Sequence, residues 1–121
     1  MADSSGTFHE AEAHLTPATR DMHRALASLM EELEAIDWYQ QRIDATDDGE
    51  LREVLDHNRK EEQEHAAMVL EWIRRRDPAF DAHLRDYLFT EGRIVGREEE
   101  ATGNGARVTV PAGVGSLRRP R

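Results

Sequence analysis

Residues 50–76 read ELREVLDHNRKEEQEHAAMVLEWIRRR, without a Pro or Gly, and their pattern decides the fold. Leu51, Leu55, Asn58, Glu62, His65, Val69 and Trp72 advance by alternating steps of four and three, the spacing that keeps returning to one side of an α-helix. The ends of this stripe are apolar, but Glu62 and His65 occupy its middle. A carboxylate in a desolvated seam is costly, so it must be protonated, paired with a cation or bound to a metal. Glu62-Gln63-Glu64-His65 is a Glu-x-x-His pair, whose i, i+3 spacing stacks both side chains on one helical face.

Upstream, Thr46-Asp47-Asp48-Gly49 reads as a turn with N-cap residues. Before it, Pro17 suits the first turn of a helix that Thr16 can cap, and no further Pro or Gly interrupts as far as Asp44. Two long helices, each roughly 40 Å at ~1.5 Å per residue, are therefore predicted as an antiparallel hairpin. The first offers two readings of its buried stripe. One runs Met22, Leu26, Leu29, Leu33, Ile36, Ile43 with Gln40 in series; the other runs Ala25, Leu29, Glu32, Ile36, Tyr39, Ile43. The second places Glu32 inside an apolar stripe with Tyr39 on the same face.

Downstream, Asp77-Pro78 ends the second helix, because a residue before Pro is pushed out of the helical region. Phe80, Leu84, Tyr87 and Leu88 then predict a short third helix running up to Glu91-Gly92. Residues 1–16 show no sustained period and are expected to be flexible. Residues 17–98 form the helical domain, 99–113 a flexible linker with a reach of roughly 20 Å, and 114–121 a terminal peptide. There is no internal repeat. The fold class is all-α.

The 121 residues include no Cys, which excludes disulfides, thiolate metal sites, iron–sulfur clusters and cysteine nucleophiles. No apolar run approaches the ~18–20 residues of a membrane span, and no leader pattern is present, so a cytoplasmic location is expected. The formal charge of -9 is uneven: residues 1–100 hold all 25 acids, while 101–121 hold Arg107, Arg118, Arg119, Arg121 and no acid. An acidic body repels nucleic acid and gathers cations.

Glu32, Glu62 and His65 on facing helices supply the O and N donors that suit iron, manganese or zinc. Ferritin-like di-iron bundles use one Glu from each of two helices plus Glu-x-x-His from each of the other two. This chain has half of those ligands and half of those helices. A two-fold dimer would complete both, making a four-helix bundle with two metals near the axis. Glu31, Glu34 and Trp38 form a neighbouring stripe, which reads either as a cation-collecting approach or as a solvated acidic face. Tyr39 is either a ligand-side hydroxyl or a core aromatic. His9, His14, His23, His57 and His83 read as mobile, surface or interface residues, and Glu61, Glu64 and Glu71 as solvated positions. Arg74-Arg75-Arg76 complements the helix dipole.

The runs Met30 to Tyr39, His57 to Met68, Leu70-Glu71-Trp72 and Tyr87 to Glu91 closely resemble the encapsulated ferritins of bacterial encapsulin nanocompartments, over about residues 8–98. Val114-Gly115-Ser116-Leu117-Arg118-Arg119 is similar to the cargo-loading peptide that docks such proteins inside an encapsulin shell. The resemblance implies a ferroxidase: Fe(II) is oxidised by O2 at an inter-subunit di-iron centre, and Fe(III) passes to the shell lumen for storage. It implies Glu32, Glu62 and His65 as iron ligands, and Tyr39 beside the centre. Glu31 and Glu34 would form a secondary site for calcium or another divalent cation, near Trp38. It further implies two irons per dimer interface, an open ring of dimers, usually a decamer, and an encapsulin shell as partner.

Two other functions fit the same residues. A rubrerythrin-like peroxide reductase would use the same ligands, although no rubredoxin-type cysteines are present to deliver electrons. A non-catalytic helical adaptor would use Glu62 and His65 as an ion pair.

Overall fold

The first helix starts at Pro17 because that residue has no N–H to leave unsatisfied and Thr16 supplies a capping acceptor. In the computed structural model of the chain, which describes residues 7–97, α1 spans Pro17–Ala45 and the Thr19 amide donates to Thr16 Oγ1 at 3.1 Å. Thr46 ends the helix in extended conformation, with its N–H on the Arg42 carbonyl. Asp48 then caps α2, Gly49–Arg76, accepting from the Glu50 and Leu51 amides at 3.0 and 3.1 Å. Arg52 reaches back from α2 and donates to the carbonyls of Ile43 and Thr46, groups that a helix end leaves without intrahelical partners. So short a connection makes α1 and α2 an antiparallel hairpin, packed along their length.

The chain divides into two compact units, Met1–Arg76 and Asp77–Arg121. In the first, the structure chooses between the two readings of α1. Ala25, Leu29, Glu32, Ile36, Tyr39 and Ile43 are all half-buried, whereas Leu26 and Leu33 are 41% and 53% exposed. The stripe that contains Glu32 therefore faces α2. On α2, Leu55, Asn58, Glu62, His65, Val69 and Trp72 are half-buried as predicted, but Leu51 is exposed. The buried apolar residues among those described are Ala66 and Ile73, seven residues apart on α2 and not singled out by the sequence pattern; Ile73 is fully enclosed. Two helices of this length with so small an interior have no independent core, while Leu26, Met30, Leu33, Trp38, Val54 and Met68 remain exposed.

The stretch before α1 contains an element that periodicity did not predict, a one-turn 3-10 helix at Glu12–His14. Arg20 holds it, donating from Nη1 to the Leu15 carbonyl at 2.6 Å and to the Glu12 carbonyl at 3.3 Å. The Phe8 ring packs on His23, 4.6 Å between centroids.

In the second unit, Asp77 caps α3, Pro78–Tyr87, accepting from the Phe80 amide at 3.0 Å. The helix ends one turn before the predicted stop at Gly92. Leu88 becomes extended, Phe89 takes φ 60°, and the Thr90 hydroxyl donates to the Tyr87 carbonyl at 2.7 Å, so local capping closes the end before glycine is needed. Phe80, Leu84 and Tyr87 are half-buried; Leu88 is exposed. No strand occurs among the described residues, and no helix there is long and apolar enough to cross a membrane. The linker 99–113 and the peptide with Val114, Gly115, Ser116 and Leu117 lie outside the described residues.

Candidate metal centre

The antiparallel register brings Glu32 of α1 against Glu62 and His65 of α2. His65 Nδ1 lies 3.5 Å from Glu62 Oε1 and 3.7 Å from Glu32 Oε1, and one donor atom of each residue lies within 4.8 Å of the others. Two atoms each about 2.1 Å from one ion stand about 3.0 Å apart at a right angle and about 3.4 Å apart at a tetrahedral angle. The trio is thus close to coordinating distance without rearrangement of the helices. Two carboxylates and an imidazole make a hard-to-borderline donor set, suited to iron, manganese or zinc.

The charge of the site would suit a cation. Glu32 is held above the ordinary carboxylate range, first by its hydrogen bond with Glu62, then by burial and by the Glu62 charge, with His65 opposing and Glu31 adding slightly. Its side chain is 23% exposed and that of Glu62 25%. His65 is 43% exposed. The centre is therefore a shallow one, walled by the hairpin on one side and open on the other.

Of the other residues singled out, Glu31 and Glu34 do not join the trio, and Glu31 reaches it only as a charge that raises Glu32. Glu31 is exposed, Glu34 half-buried and Trp38 48% exposed. Tyr39 is half-buried, with the Arg42 guanidinium 5.5 Å from its ring centroid.

Two glutamates read as merely solvated have partners. Glu71 accepts from Arg74 through both oxygens at 2.8 Å and from Arg75 at 2.7 Å, and these hydrogen bonds pull its carboxyl down to about 2. The third arginine of that run, Arg76, stacks over Trp72 at 4.1 Å, a use beyond the helix dipole. Glu61 stands between two imidazoles, with Oε2 3.8 Å from His57 Nε2 and Oε1 4.0 Å from His65 Nε2. The signal for it was present in the sequence: Glu61 is four residues after His57 and four before His65, the spacing of helical neighbours.

Comparison with known proteins places the chain among its relatives. The chain is 51% identical to the Encapsulated ferritin-like protein of Rhodospirillum rubrum over 97% of its own length and 88% of that protein's. It is 37% identical to the Encapsulin nanocompartment cargo protein EncC of Myxococcus xanthus, over 73% of this chain and 77% of that one. Among solved structures, protein ne0167 from Nitrosomonas europaea superposes with a TM-score of 0.71 at 60% identity, covering 73% of this chain and 97% of that one. Residues 7–91 match the EncFtn-like family, and the all-helical hairpin with its Glu-Glu-His trio belongs to that family of encapsulated ferritins.

Proposed function

We propose that the protein is a ferroxidase whose catalytic centre is assembled from two copies of the chain and which works as cargo inside an encapsulin shell in the bacterial cytoplasm. The observation that carries this reading is the convergence of Glu32, Glu62 and His65 on an open face of a hairpin that lacks a core of its own. Val54, Asn58, Glu61, His65, Met68 and Trp72 advance along α2 by alternate steps of four and three, so His65 shares a row with the exposed apolar Val54 and Met68. A second hairpin laid on this row would bury those side chains and double the ligand set to that of a di-iron bundle.

Fe(II) is the substrate. Glu32 and Glu62 supply anionic oxygen, which favours Fe(III) over Fe(II) and so promotes electron loss, while the His65 imidazole fixes the ion and leaves positions open for O2. Two ferrous ions held side by side offer O2 two electrons in one encounter. The repulsion between the Glu32 and Glu62 carboxylates is relieved by the incoming cation. Glu31 and Glu34 gather a divalent cation such as calcium or iron on the approach, and Tyr39 lies on the α1 stripe beside the centre. The carboxy-terminal peptide containing Val114, Gly115, Ser116 and Leu117 docks the enzyme to the shell, in keeping with the names of the Rhodospirillum and Myxococcus relatives.

The test is aerobic oxidation of Fe(II) by the purified full chain, followed beside Glu32→Ala, Glu62→Ala and His65→Ala. Each substitution is expected to lower the rate at least tenfold. Variants that oxidise iron as fast as the parent would remove the site assignment.

A further inference from the structure

We propose that Glu61 is a positioning residue for His65: by accepting the Nε2 proton, it aims Nδ1 at the cation held with Glu32 and Glu62. This deepens the ferroxidase reading and rests on it. The two nitrogens of the His65 ring face different carboxylates. Nδ1 lies 3.5 and 3.7 Å from Glu62 and Glu32, whereas Nε2 lies 4.0 Å from Glu61 Oε1. A neutral imidazole has one N–H and one lone pair, so the nitrogen that binds a cation obliges the other to carry the proton. With Nδ1 committed to the trio, Nε2–H points toward Glu61.

At 4.0 Å the contact is longer than a hydrogen bond. The gap is about 1 Å beyond hydrogen-bond length, a shift on the scale of a side-chain torsion of Glu61. Its other oxygen stands 3.8 Å from His57 Nε2, which keeps the carboxylate on the His57–His65 side of α2. Glu61 and His65 are four residues apart on one helix, so their alignment does not depend on α1. A carboxylate on the distal N–H of a metal-bound imidazole fixes its orientation and raises its basicity, and losing one costs ~10–100-fold in metal affinity.

The test is titration of the metal-free full chain with Co(II), read by the ligand-field absorption of the bound ion. Glu61→Ala is expected to weaken the His65-dependent Co(II) affinity about tenfold or more. Glu61→Gln, whose amide oxygen still accepts from Nε2–H, is expected to restore it to within about threefold of the parent. His57→Ala should leave it unchanged, and all three should unfold in urea with EDTA like the parent. The proposal is overturned if Glu61→Ala binds as the parent does, or if Glu61→Gln is as weak as Glu61→Ala, since a direct ligand or a bulk charge effect gives that result. It is also overturned if His57→Ala reproduces the loss, which would mark a separate His57–Glu61 site. A parent that shows no Co(II) signal dependent on Glu62 and His65 would instead sink the metal-centre reading itself.

Discussion

Glu32 carries the tension between fold and function at the scale of one residue. Its folded carboxyl is raised by the hydrogen bond with Glu62 and by burial, so the stability linked to its proton is complete below about pH 4.5 and is lost as pH rises through the folded value. At pH 7 the metal-free protein thus retains an unfavourable carboxylate pair. Replacing Glu32 by Gln is expected to raise metal-free stability in urea by about 0.5–1 kcal/mol while abolishing iron oxidation, a trade-off typical of binding sites. A variant both less stable and fully active would contradict this account.

On the element scale, stability rests on caps and ion pairs close in sequence. The side chains of Thr16, Asp48 and Asp77 each accept from an amide in the first turn of their helix. Alanine at Thr16 or Asp48 should cost about 1 kcal/mol each, measured by urea unfolding of the full chain. At the far end of α2, Glu71 titrates at about 2 against an ordinary 4.5, because Arg74 and Arg75 favour its charged form. A depressed carboxyl stabilises above its unfolded value and loses that contribution as pH falls through its folded one, so the window runs from about pH 4.5 down to about 2. With 41% of the side chain exposed, solvent screening holds the contribution to about 1 kcal/mol or less. Glu71→Gln should therefore destabilise at pH 7, and its difference from the parent should shrink between pH 4.5 and pH 2.

For the whole molecule, the first unit is a hairpin with Ala66 and Ile73 as its buried apolar residues and with apolar side chains exposed along both helices. Association with a second copy, as proposed above, would offset that deficit. Ferrous ion added anaerobically is expected to shift the sedimentation of the chain toward the dimer and larger rings. Met68→Glu, a charge placed on the row shared with His65, should prevent this and lower oxidation together, with helical circular dichroism retained. If Met68→Glu assembles and oxidises iron normally, the proposed dimer face is wrong. Deletion of residues 114–121 should leave oxidation intact and abolish co-purification with a co-expressed encapsulin.

Helix limits, the turn at Thr46 to Gly49, the caps and the Glu-x-x-His pair are legible in the chain because each depends on residues within a few positions of one another. The same locality explains what went unread in α3, where Thr90 closes the helix at Tyr87 before Gly92 is reached. Which stripe of α1 is inside could not be settled that way, since both readings are apolar at helical spacing. Only the facing surface of α2 selects Glu32 and Tyr39 and leaves Leu26 and Leu33 outside. Side-chain partners escape sequence reading for a related reason. Glu61, Glu64 and Glu71 look alike on a helical wheel, yet Glu61 faces two imidazoles and Glu71 two guanidinia. Local backbone chemistry decides where helices begin and end; the environment of a charge depends on what packing brings beside it.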